Sequence, residues 1–366
     1  MFLCMRILHV ITTLDVGGAE RLMVDLLPRL KEKNTNSVEL VVFKCSGKAF
    51  YQELKSKGIN IIALSQSHNV YNPLNLMKLL PLVRKYDIIH SHNTACQFYV
   101  ALAGLVARCK AKMVTTEHNS TNRRRSKRWF KPFDKWMYGR YKAIVCIADQ
   151  TYNNLARYLG NNNRLHTIHN GVDVSRFLKP IGNISSKNEF VITMVAAFRP
   201  QKDYDTLLRS ITHLPDNYRL QIVGGGDPHE GGRIRAYSSQ LGLEDRVFFL
   251  GIRSDVPEIL GKSDIVVLSS HWEGLSLSSI EGMASGRPFV ASDVDGLHEI
   301  VDGAGILFPE GDDQELARQI QYLCEHPAEY QKVAQQCQKR ARQYDISVMT
   351  DNYLSLYDEL CSEHHS

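Results

Sequence analysis

The chain is expected to fold as an α/β protein built from two doubly wound parallel-sheet domains. Three observations lead there. Strand-like apolar runs alternate with helix-like segments throughout, which is the pattern of a parallel sheet with crossover helices. Two such series are separated by a polar stretch, 179–188, holding Pro180, Gly182 and two serines. The length, 366 residues, exceeds what a single core usually serves.

In the first series the sequence places strands at 6–11, 38–43, 59–64, 87–90, 112–116, 143–147 and 165–168, with helical patterns at 19–32 and 74–85 between them. In the second, strands fall at 190–195, 220–223, 247–250, 265–268, 289–291 and 306–308. The first domain is assigned to 1–175 and the second to 176–366. The tail, 314–360, reads as helical, with Pro327 punctuating it. No internal repeat or low-complexity segment interrupts this order.

Composition is that of an ordinary globular protein, 43% hydrophobic and 23% charged. No apolar run reaches the roughly 18–20 residues that span a bilayer. The apolar start, MFLCMRILHVITTL, lacks the features of a signal peptide and reads as the first buried strand. The eight cysteines form no C-x-x-C pair, which supports neither zinc nor a disulfide framework and fits a reducing cytoplasm. Net charge is only +5, so its distribution matters more than its sum.

The most informative stretch is 273–299, EGLSLSSIEGMASGRPFVASDVDGLHE. Glu273 follows the apolar run Ile265-Val266-Val267-Leu268, and Glu281 lies in a helical segment, 277–284, opened by a Gly-Leu-Ser loop. Acids at a strand's mouth and in the next helix face the crevice above an open sheet, where ligands of such folds bind.

This segment resembles the signature of the retaining, nucleotide-sugar-dependent glycosyltransferases of family 4, and the resemblance extends over nearly the whole chain. It implies the GT-B fold: two Rossmann-like domains facing a cleft, with the last helix, about 345–360, packing back on the first domain. It also implies that Glu281 accepts from the ribose hydroxyls and Glu273 touches the donor sugar. A carboxylate is acceptor-only and can hold two vicinal hydroxyls. The backbone amides of Gly274, Leu275 and Ser276 would donate to sugar or diphosphate. Here Trp272 directly precedes Glu273 and Gly274 follows it, whereas the family usually has a second aromatic between glutamate and glycine.

Arg199 and Lys202, in AAFRPQKDYDTLL, match the family's cation pair. Cations fixed at a leaving diphosphate stabilise the transition state more than the ground state. Without that context they would be two solvated residues at a helix start. Gly17 and Gly18 in LDVGGAER, and Gly225 in VGGGD, are expected near the nucleotide, although a Gly-Gly turn alone is weak. His118, at a strand end in TTEHNS, matches the histidine the family places at the reaction centre; a lone histidine is otherwise more often structural. Glu117 and Asn119 are possible helpers, His90 and His92 weaker candidates, and His169 belongs to a hinge.

No metal-ligand cluster stands out, so no metal or cofactor is expected beyond a nucleotide-sugar donor, UDP- or GDP-linked. Residues 121–142, TNRRRSKRWFKPFDKWMYGRYK, mix cations with Trp129, Phe130, Phe133, Trp136, Tyr138 and Tyr141. That mixture suits an anionic membrane surface or a lipid-linked acceptor. Its rivals are a half-buried helix with a solvated basic face and nucleic-acid binding, of which nucleic acid is not expected. The reading is a cytoplasmic, peripherally membrane-bound hexosyl-type transferase of surface polysaccharide synthesis. It moves sugar to a lipid-linked glycan or glycolipid. The alternatives are an epimerase or hydrolase of the same fold, or a non-catalytic sugar- or lipid-binding protein.

Overall fold

The computed structural model describes residues 5–15, 18–33, 37–44, 48–65, 70–118, 125, 127–160, 162–185 and 187–362. They divide into two compact units: Met1–Gly171 with Ile346–Ser366, and Val172–Asp345. Every strand placed from the sequence is present, with ends moved by a residue or two.

Unit 1 runs β1 (Arg6–Ile11), α1 (Gly18–Lys33), β2 (Ser37–Lys44), α2 (Lys48–Ser56), β3 (Asn60–Ser65), α3 (Leu74–Leu79), β4 (Ile88–His92), α4 (Thr94–Val106), β5 (Lys112–Glu117), α5 (Lys131–Tyr138), β6 (Ala143–Cys146), α6 (Asp149–Leu159) and β7 (Leu165–Thr167). Its strands are all parallel, in the order β3-β2-β1-β4-β5-β6-β7. The order reverses direction between β1 and β4, so the crevice of this sheet opens at their carboxyl ends. The helix expected over 74–85 stops at Leu79, with turns continuing to residue 84. Pro81 explains the break, since its ring removes an N–H and crowds the preceding turn.

Unit 2 runs β8 (Phe190–Val195), α7 (Tyr204–His213), β9 (Tyr218–Val223), α8 (Pro228–Gln240), β10 (Val247–Gly251), α9 (Val256–Lys262), β11 (Ile265–Leu268), α10 (Leu277–Ala284), β12 (Phe289–Ser292), α11 (His298–Val301), β13 (Ile306–Phe308), α12 (Asp313–Glu325) and α13 (Pro327–Ala341). The sheet is again parallel, ordered β10-β9-β8-β11-β12-β13, with its switch point between β8 and β11. Side-chain caps set the helix starts: Asp203 accepts from Thr206 N, Asp227 from His229 N, Ser276 from Ser279 N and Asp312 from Glu315 N. The polar stretch 179–188 is packed on this unit. Gly182 N–H donates to Gly286 O at 2.9 Å, and Ile184 is buried in the core.

The last helix, α14 (Ile346–Ser362), belongs to unit 1. Met349, Tyr353, Leu354 and Tyr357 sink into the same core as Ile7, Ile11 and Val114. They lie on the face of the sheet that also carries His9, His90 and Thr116, because side chains two apart on a strand share a face. Among the described residues no helix is long and apolar enough to cross a membrane.

Candidate active site

At the switch point of unit 2, the loops leaving neighbouring strands β8 and β11 meet. Lys202 Nζ pairs with Glu273 Oε1 across 71 positions of sequence. Ser270 Oγ donates to the same carboxylate at 2.6 Å, and Gln201 Nε2 donates to Trp272 O at 2.5 Å with a longer 3.5 Å approach to Glu273 Oε2. Ser269 Oγ ties the two loops again, donating to Lys202 O and Asp203 O at 3.1 and 2.9 Å. Arg199 stands exposed where this turn begins, and among the described residues it has no side-chain partner. The structure thus brings Lys202 and Glu273 together and leaves the Arg199 guanidinium in solvent beside the turn they share.

Two backbone features hold this arrangement. Glu273 N–H donates to Asp295 O at 3.1 Å, and Gly296 follows with φ +80°. A Cβ on Gly296 would stand 2.2 Å from Gly274 O and 2.4 Å from Glu273 O, so only glycine lets the two segments approach. On the β8 side, Gly224 has φ +149°, and a Cβ there would meet Ala196 O at 1.9 Å. Phe198 N–H donates to Gly225 O at 2.8 Å, which lays the VGGGD turn along the segment that leads to Arg199. Gly274 and Leu275 are half-buried just before α10, whose cap is Ser276, and Glu281 sits half-buried one turn into that helix. Ser270, Gln201, Asp295 and Gly296 were not singled out from the sequence. The Ser-Ser pair ending an apolar run, and a glycine four residues past the end of β12, were the available signals.

In unit 1, Gly18 is exposed and opens α1, while Gly17 lies outside the described residues, as does Asn119. His118 sits half-buried just past β5. Its Nε2 is 3.1 Å from His92 Nδ1, and His92 Nε2 is 3.0 Å from His9 Nδ1. His90 hydrogen-bonds Tyr357 Oη at 2.5 Å and Thr116 Oγ1 at 2.7 Å. Burial pushes His9 down to about 3 and His118 down to about 4, the latter partly offset by the Glu117 carboxylate. His90 and His92 are pushed well below the ordinary value by burial and then by neighbouring imidazoles. All four are neutral at pH 7. His9 was missed in the sequence because it sits within an otherwise apolar strand. His169 lies 3.7 Å from Asp149 Oδ2.

Among the described residues, His9, His90 and His92 bring ligand nitrogens within 4.8 Å of one another. Both nitrogens of His90 and both of His92 are already hydrogen-bonded, so a metal ion would have to displace those bonds.

The stretch 121–142 needs a correction. Residues 121–124 and 126 lie outside the described residues. Arg125, read from the sequence as part of a basic surface, is interior: its Nη2 binds Glu117 Oε2 at 2.5 Å and Tyr138 Oη at 3.0 Å. Gln97 and Tyr138 donate to Glu117 Oε1, both at 2.5 Å. A buried carboxylate demands such partners, which is why Glu117 draws the arginine inward. Tyr138 and Tyr141 are also buried. What stays outside is the edge of an aromatic row: Trp129, 70% exposed, stacks on half-buried Phe130 at 3.8 Å, and exposed Phe133 lies 5.9 Å from half-buried Trp136. Exposed Lys127, Lys131, Lys135 and Arg140 are interleaved with it.

Two parallel doubly wound sheets, one with a cation–carboxylate cluster at its switch point, define a two-unit α/β transferase of the GT-B class. The chain belongs to the family 4 glycosyltransferases: the profile for glycosyl transferases group 1 matches residues 176–344, and that for Glycosyltransferase Family 4 matches residues 16–176. The crystal structure of Anabaena Alr3699/HepE in complex with UDP and glucose superposes with a TM-score of 0.83 at 21% identity, covering 97% of this chain and 100% of that one. The UDP-Gal:alpha-D-GlcNAc-diphosphoundecaprenol alpha-1,3-galactosyltransferase of Escherichia coli is 28% identical over 269 residues, 69% of this chain and 67% of that protein. The N,N'-diacetylbacillosaminyl-diphospho-undecaprenol alpha-1,3-N-acetylgalactosaminyltransferase of Campylobacter jejuni is 29% identical over 180 residues, 49% of this chain and 47% of that protein.

Proposed function

We propose that this glycosyltransferase moves a sugar from a UDP- or GDP-linked donor to a lipid-linked glycan or glycolipid, with retention of configuration, in surface polysaccharide assembly. The observation that carries the reading is the Lys202–Glu273 pair at the switch point of unit 2, with Arg199, which has no partner among the described residues, beside it. Breaking the sugar–phosphate bond puts growing negative charge on the diphosphate. Arg199, with a guanidinium fork, and Lys202, a point charge, stabilise that charge, and the amides of Gly274 and Leu275 near the start of α10 add to it. Those groups take the part that a divalent cation plays elsewhere. Glu281 accepts from the ribose hydroxyls and Glu273 from the sugar. The acceptor hydroxyl adds to the face the diphosphate leaves, and the departing phosphate takes its proton.

The acceptor class is favoured by the diphosphoundecaprenol substrates that the relatives' names print. The partly exposed aromatic row with its interleaved lysines suits the headgroup level of an anionic leaflet. Donors of this kind are cytoplasmic, so the reading puts the chain on the inner face of the cell membrane.

Purified protein incubated with a panel of labelled nucleotide sugars, with and without membrane lipid extract, tests this. Release of nucleoside diphosphate together with label in extracted lipid is the expected result, unaffected by chelators, and NMR of the product gives the anomeric configuration. Release without lipid labelling would point to a hydrolase, and no release at all to a binding protein.

A further inference from the structure

We infer that His9 and His92 are positioning residues that lock the tautomer of His118, so that His118 presents its Nδ1–H as a hydrogen-bond donor to substrate and has no lone pair left to act as a base. The proposal rests on the reading of His118 as a reaction-centre residue.

Three imidazoles stand in single file on one face of the sheet, from β1, β4 and the end of β5. Each link joins one Nδ1 to the next Nε2: His9 Nδ1 to His92 Nε2 at 3.0 Å, then His92 Nδ1 to His118 Nε2 at 3.1 Å. A neutral imidazole carries one proton, so a donor on one nitrogen makes the other an acceptor. Only two proton orders satisfy both links. In one, every proton sits on Nδ1; in the other, every proton sits on Nε2.

The far end of the file decides between them. His9 is completely buried, and among the described residues its Nε2 has no hydrogen-bond partner. The second order would put a proton on that nitrogen and create an orphaned buried N–H, which folded proteins almost never tolerate. An unmet acceptor is less unusual. The Nδ1–H order is therefore the one the protein holds. His92 donates into His118 Nε2, and the only proton of His118 is on Nδ1.

His90 stands outside this file. It stacks on His92 with ring centroids 4.3 Å apart, but its own nitrogens are spent on Tyr357 of α14 and on Thr116, which in turn meets Tyr353 at 3.0 Å. That second network anchors the neighbouring ring, so the file cannot slip sideways without breaking bonds to the last helix. A His118 locked this way suits a transfer whose proton ends on the leaving phosphate. It offers a fixed dipole to a sugar or acceptor hydroxyl and takes no proton itself.

Long-range 15N–1H correlation spectra of the full-length protein labelled at histidine read the tautomers directly, with assignment by single substitutions. The expected pattern is Nδ1–H at His9, His92 and His118. An Nε2–H at His92 or His118 overturns the proposal. Two variants add a catalytic readout. His92→Leu removes the donor and should release His118 into mixed tautomers and lower kcat about tenfold, the scale of one lost hydrogen bond. His92→Asn keeps an N–H where Nδ1 was and should restore both the tautomer and most of the rate. Equal losses in the two variants would mean a merely structural role and sink the inference. If the spectra show the lock and its release while kcat in His92→Leu is unchanged, the lock stands and the placement of His118 at the reaction centre falls.

Discussion

Each unit holds one carboxylate at the mouth of a sheet, paired with one cation, and the two pairs do different work. In unit 1, Glu117 and Arg125 are 7% and 9% exposed; in unit 2, Glu273 and Lys202 are 8% and 13% exposed. Burial therefore does not separate them. Surroundings and residue type do. Glu117 is closed in by the side chains of Gln97 and Tyr138, and Arg125 Nη2 is fixed on Glu117 and Tyr138 together. Glu273 shares its loops with Arg199, exposed and without a partner among the described residues, and with Trp272, 56% exposed. Lys202 is a point charge on a flexible stem, able to exchange a carboxylate oxygen for a phosphate oxygen at little geometric cost. One pair is enclosed as a clamp, and the other, on the function proposed above, holds its cation for the donor's diphosphate.

The sharpest way to break this contrast is to remove each cation. Arg125→Ala leaves Glu117 buried without its countercharge, and stability should fall by about 3–5 kcal/mol in urea unfolding. A loss below about 1 kcal/mol would return Arg125 to the surface role read from the sequence. Lys202→Ala should instead show in turnover. A kcat loss of roughly 10²–10³-fold, with donor KM little changed, is the scale of one lost transition-state donor. Its stability cost should be smaller than that of Arg125→Ala, since Ser270 still donates to Glu273. An unchanged kcat would remove Lys202 from the site.

The histidines sharpen the contrast, because those clustered in unit 1 are neutral where unit 2 gathers charges. His9, His90 and His92 are buried and held below their ordinary value, His9 at about 3. Below pH 6.5 the unfolded chain binds protons that the folded one refuses. The unfolded state then holds more protons, so stability is fully present above pH 6.5 and declines as pH falls towards the folded values. Between pH 6.5 and 5.5 the loss should be about 1 kcal/mol per buried histidine. Denaturation midpoints across that range measure it, and His9→Phe should shrink the slope. A flat profile would mean that these rings are charged or solvated.

How much of this was legible in the sequence differs by level. The parallel strands were readable because each is a short apolar run between turn residues, and burial on both faces makes such runs stand out. The helix over 74–85 was overextended where Pro81 stood in plain view. Glu273, Glu281, Arg199 and Lys202 were visible as residue types in a familiar order. That Lys202 grips Glu273 was not, since the contact depends on β8 and β11 being neighbours in the sheet. His9 was invisible because nothing in an apolar strand marks a polar member as paired. Arg125 was misread because composition cannot tell which arginine in RRRSKR faces a buried glutamate.

Two smaller effects test the outer edges of the comparison. Glu281→Ala should weaken nucleotide binding about tenfold by calorimetry, the worth of hydrogen bonds to one carboxylate, while leaving kcat at saturating donor nearly intact. A loss in kcat alone would move Glu281 from the ribose to the reacting bond. The smallest effect belongs to the surface of unit 1. Lys131 and Lys135 are exposed between Phe130, Phe133 and Trp136, and each should contribute about 1 kcal/mol to binding vesicles rich in anionic lipid. Exchanging both for glutamine should lower flotation with such vesicles and leave urea stability unchanged, because neither lysine lies in the interior. Flotation indifferent to anionic lipid would strip the membrane role from this segment and leave the aromatic row to bind acceptor alone.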